Sequence, residues 1–68
     1  MTTFTFYIRD DRHDIPITQF VIVKDAERAR LRAAEHLLES THHTAIDVYE
    51  GDHLRFSLTP GVAARAVH

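Results

Sequence analysis

Six histidines in 68 residues, set near short runs of aspartate, are the side chains best suited to chemistry in this sequence. His13 stands inside Asp10-Asp11-Arg12-His13-Asp14, and His42-His43 form a second group. Imidazole nitrogens with carboxylate oxygens are a ligand set for zinc or a similar ion. His13, Asp14, His42 and His43, with Asp10 and Asp11 beside them, are therefore the candidate metal ligands. The spacing is not one that a metal demands, because no His-x-x-x-His pair occurs on a helical face. Solvated polar residues at loop ends are the plainer reading of all four. His36 is expected on the solvent side of a helix.

A second constellation combines aromatics with cations. Tyr7, Arg9, Tyr49 and Arg55, with His53, are expected on the outward face of a sheet, where single-stranded nucleic acid binds by base stacking and phosphate contact. Asp47 on the same face and a net charge of −2 oppose that use, so nucleic acid is the disfavoured partner. The favoured reading of the same surface is a dimer contact. Tyr7 and Tyr49 with Ile17, Val21 and Val23 make an apolar centre with polar tips at the rim, and Arg30 joins it from the helix. Catalysis has thin support. Ser40 and Ser57 neighbour histidines only along the chain, and neither a glycine-rich phosphate cradle nor a nucleophile elbow is present. The expectation is a protein that is not an enzyme and calls for no cofactor.

The elements that position these residues follow from periodicity. Thr3 to Arg9 alternates, with Phe4, Phe6 and Ile8 on one face and Thr5, Tyr7 and Arg9 on the other, which predicts a half-buried strand. Asp10 to Asp14 reads as a loop ending at Ile15-Pro16. From Ile17 to Lys24 β-branched and aromatic residues fall on both parities, Phe20 and Ile22 against Ile17, Val21 and Val23, so this strand needs cover on both sides. Asp25 is a good N-cap, and Glu27 suits the first turn of a helix over 26–39. Its expected apolar stripe is Leu31, Ala34, Leu37 and Leu38 with Ala33, while Arg30 lays its stem on the core edge. Thr44 to Glu50 alternates again, with Ile46 and Val48 inward. Gly51-Asp52 turns the chain into a last strand over 53–59, with Leu54, Phe56 and Leu58 inward. Placing Val48 opposite Leu54 predicts a three-residue bulged turn. With strand directions alternating, the loop at Asp10 to Asp14 and the pair His42-His43 fall at one end and His53 at the other.

The fold class is therefore α+β: a four-stranded, mainly antiparallel sheet in the order β-β-α-β-β with one helix on one face. Residues 1–60 make a single domain and 61–68 a C-terminal tail. A domain this short buries only about 60% of the surface its unfolded chain exposes, and without cysteine no disulfide compensates. Association with a second copy is the remaining remedy, which makes a homodimer, or a complex with another protein, the expected state. The cysteine-free composition suits a cytoplasmic location. Met1-Thr2-Thr3-Phe4 opens no basic-then-apolar leader, and no apolar run approaches the ~20 residues of a membrane span, so no membrane association is expected.

The strand ending in Arg9-Asp10, the strand ending in Lys24-Asp25, the helix rich in Ala, Arg and Glu, and the hairpin turning at Gly51-Asp52 give the chain a family likeness. From Phe4 to about Thr59 it resembles small uncharacterised bacterial proteins that share a domain of unknown function with β-β-α-β-β order. The resemblance implies the same fold and carries no catalytic residues to transfer.

Overall fold

The structure, a computed structural model, describes residues 1–62. It contains β1 (Thr2–Asp10), β2 (Ile17–Val23), α1 (Ala26–Leu38), β3 (His43–Glu50) and β4 (His53–Leu58). The expected tail lies outside the described residues from position 63 onward. The α+β architecture is as the alternation predicts: one four-stranded antiparallel sheet, in the order β2-β1-β3-β4, with α1 against one face.

β1 is one of the two interior strands, and its inward row Phe4, Phe6 and Ile8 is buried. Pairing sets Val21 beside Phe4, Val48 beside Phe6 and Ile46 beside Ile8, and Phe56 and Leu58 continue the last two rows onto β4. Residues paired across antiparallel strands share a face, so these rows form the floor of the core. The helix begins where the sequence indicates. Asp25 is in extended backbone and its carboxylate accepts a hydrogen bond from the Arg28 N–H at 2.9 Å, satisfying one of the free donors of the first turn.

The helix buries Ala29, Ala33, Ala34 and Leu37, a narrower and smaller stripe than expected. Leu31 and Leu38 are exposed. Small side chains let the helix lie close to the sheet, and the large residues filling the space come from the strands. This close approach also brings His36 in from solvent: its ring meets Phe6 edge-on at 6.1 Å.

Strand β2 corrects a second expectation. Val21 and Val23 are 8% and 7% exposed and belong to the core, so they are not free for an interface. Phe20 and Ile22, on the other parity, are the residues left open, at 70% and 63%. Both faces of β2 are apolar, as its composition indicates, but the helix covers the valine side. Its cover stops short of Ile17, which shares the helix-side face with Ile8 and remains 42% exposed.

The second hairpin also differs from expectation. Glu50 pairs with His53 across a two-residue turn, with Gly51 at φ 60 and Asp52 at negative φ, the sign pattern of a type II′ turn. The bulge lies further on, since Val48 pairs with Phe56 and Tyr49 with Leu54, leaving Arg55 as the extra residue. That shift turns Leu54 to the outer face, where it is 54% exposed.

Candidate interaction face

The face of the sheet away from α1 is built from the odd parity of β1 and its partners. One row crosses the sheet as Phe20, Thr5, Tyr49, Leu54, and the next as Thr18, Tyr7, Asp47, Ser57. Beyond the first row stand Ile22 and Thr3, and beyond the second Arg9 and Ala45. Tyr7 and Tyr49 sit diagonally across β1 and β3 and meet edge-to-face, with ring centroids 5.3 Å apart at 88°, a favourable arrangement for aromatic quadrupoles. The result is an apolar half carrying Phe20, Ile22, Leu54 and the tyrosine pair, beside a polar half. In the polar half Arg9 donates to Asp47 at 3.1 Å and the Ser57 hydroxyl donates to the other Asp47 oxygen at 2.8 Å.

Among the residues expected at an interface, Tyr7 and Tyr49 are on this face, and Val21, Val23 and Ile17 are on the opposite one. Arg30 is also on the helix side, its guanidinium 4.5 Å from the centroid of the Phe56 ring, a cation–π contact over the core edge. Three residues of the face, Phe20, Ile22 and Leu54, were not anticipated. A signal existed for the first two: they alternate with the valines, so a single helix must leave one of the two sets bare.

The nucleic-acid constellation is brought together only in part. Tyr7, Arg9 and Tyr49 share the outer face, around a shallow depression of about 430 Å³ that Asp47 also lines. Arg9 is engaged by Asp47, and Arg55, at the bulge, is paired with Glu50. Each cation thus carries its own carboxylate, which removes the positive field that phosphates require.

The expected metal ligands form no cluster. The β1 end and the His42-His43 segment do meet, as strand directions predict. The Asp11 N–H donates to the His42 carbonyl at 2.9 Å, His42 Nδ1 is 2.9 Å from Asp11 Oδ1, and His43 Nε2 is 3.8 Å from Asp10 Oδ2. Yet among the described residues no three His, Asp or Glu side chains gather in a metal-binding group. Asp10 is committed elsewhere. Its buried carboxylate accepts from the Arg12 N–H at 2.8 Å, Nε at 2.9 Å and Nη2 at 2.6 Å. That bidentate grip holds its carboxyl well below the usual carboxylate range, outweighing the opposing effect of burial. In turn Asp10 holds the Arg12 guanidinium above its ordinary value. His43 is committed too: Nδ1 lies 2.7 Å from the His36 carbonyl. A carbonyl only accepts, so Nδ1 carries the proton. The corner is a structural latch joining the first loop to the end of the helix.

No protein-family model matches the chain, and neither a curated protein nor a solved structure shows significant similarity to it. Among the described residues no helix is long and apolar enough to cross a membrane.

Proposed function

We propose that the protein is a self-associating interaction module in which the outer sheet faces of two copies pack together. The observation that carries this reading is the set of large apolar side chains, Phe20, Ile22 and Leu54, left open around the Tyr7–Tyr49 pair. Shape supports it. The molecule is a flat plate of 31 × 29 × 15 Å, so its bare side is a broad surface of the kind two copies can cover together. Energy supports it as well. Burying a fully exposed Phe, Ile or Leu is worth about 1.5–3 kcal/mol; Phe20, Ile22 and Leu54 are 70%, 63% and 54% exposed, so three from each copy supply a large part of that gain against an association cost of about 4–15 kcal/mol. A two-fold axis lying in the plane between the faces, beneath the Arg9–Asp47 pair, would set Arg9 of one copy near Asp47 of the other, so the polar half can be self-complementary.

This role is one of binding, without a catalytic step or a cofactor, and a cysteine-free chain of this kind fits the cytoplasm. Light scattering at tens of micromolar tests it. The expected mass is twice 7.8 kDa, falling to the monomer value in Phe20→Glu with the circular dichroism spectrum retained. A wild-type monomer over that range overturns the proposal. The same protein titrated with single-stranded RNA is expected to give no saturable, salt-sensitive signal.

A further inference from the structure

The outer face takes side chains from β2 but leaves the backbone edge of that strand and the helix flank above it free. At the Val23 end of that edge, between the strand and the helix, lies an open groove of about 440 Å³, lined by Met1, Ile22, Lys24, Arg28, Arg32 and Glu35 among others. Its three cations outnumber its single acid, and among the described residues Lys24, Arg28 and Arg32 make no ion pair. On a chain of net charge −2 this is a local positive site, and only a local site draws an acidic ligand to such a molecule.

The strand beneath it is equally open. β2 is an edge of the sheet, and Ile17–Val23 contains no charge, proline or glycine, the devices that usually protect an edge from pairing. The other edge, β4, is protected by its bulge at Arg55. From these observations we infer that the β2 edge with the flank of α1 takes an extended acidic segment of a partner protein, added as a fifth strand. Alternate side chains of such a strand point to opposite faces. Those on the helix side come beside Val21 and Val23, under Arg28 and Arg32, where carboxylates find unpaired guanidinium groups. Those on the other side come beside Phe20 and Ile22, where apolar groups are covered. The site thus selects a segment alternating acidic and apolar residues, read by backbone ladder and charge together. Nucleic acid offers the charge but no N–H and C=O ladder, so a peptide is the ligand that satisfies both.

The test is fluorescence anisotropy of the full chain with a labelled, end-capped heptapeptide alternating Glu and Val. Saturable binding that weakens with added salt is expected, with a Lys-Val peptide at least about tenfold weaker. N-methylation of the amides that would face β2 should remove binding. Arg28→Glu with Arg32→Glu should reverse the preference between the peptides, and the Gln pair should abolish it if the Glu pair fails to fold. Both arginines lie on the helix, away from the outer face, so these variants should keep the wild-type mass; loss of self-association and loss of this site are thereby distinguishable. Absence of saturable binding overturns the inference. So does equal affinity for the Lys-Val or N-methylated peptide, or binding only of a single-stranded DNA of equal length.

Discussion

At the scale of single residues, the Asp10–Arg12 pair has the largest expected consequence. Asp10 continues the inward row Phe4, Phe6, Ile8, and its side chain is fully buried. Its folded-state pKa is lowered, first by the Arg12 guanidinium, from an unfolded value near 3.9. The stability this contributes is therefore complete above about pH 4 and is lost as pH falls through the lowered value. Melting temperature should drop steeply from about pH 4 towards pH 2 in the wild type and less steeply in Asp10→Asn, which starts lower at neutral pH; calorimetric scans with parallel slopes would contradict this. Gly51 is a second such residue. At φ 60 a β-carbon is strained, and Gly51→Ala should cost about 1 kcal/mol, read as a Tm lowered by about 4–8 °C. The meeting of His42-His43 with the first loop was legible from strand directions alone. What they contact was not, because the sequence sets them with His13 and Asp14 as metal ligands. The parity that buries Asp10 was already visible, however, and a buried acid two residues before an arginine implies their pairing.

At the scale of elements, the helix and β2 decide which residues are core. The start of α1 was legible because Asp25 and Glu27 are local signals, acting through groups within one turn. Which face of β2 the helix covers was not, because Ile17–Val23 is apolar on both parities and the choice depends on tertiary packing. Towards β2 and β1 the helix packs through three alanines and Leu37, so the valine side of β2 fits beneath it and Phe20 remains outside. Ala33 is fully buried, and Ala33→Leu should overpack this contact and cost about 1–3 kcal/mol in a denaturant melt. Leu31→Lys, on the exposed side, should move the same midpoint by less than about 0.5 kcal/mol. Equal effects at the two sites would mean that the helix docks through its leucines. The displaced bulge has a comparable origin: Gly51-Asp52 permits a tight turn, and the extra residue is then absorbed where Arg55 can reach Glu50.

At the scale of the molecule, two layers make a plate only 15 Å thick, with one side covered by α1 and the other bare. If copies cover each other's bare side, stability is linked to concentration. The melting temperature should therefore rise between about 1 and 100 µM protein, and in Phe20→Glu it should stay constant. A constant value in both would show a monomer that is stable unaided. The two borders of the plate are unlike: one, at β2, is smooth and uncharged, while the other is kinked at Arg55. A head-to-tail queue of folded molecules would have to join a smooth border to a kinked one at every junction, and the kink breaks the register such a junction requires. The smooth border, flanked by Lys24, Arg28 and Arg32, also meets like charge in a second copy of itself, so lateral growth of the folded protein has no junction that can repeat into a fibre.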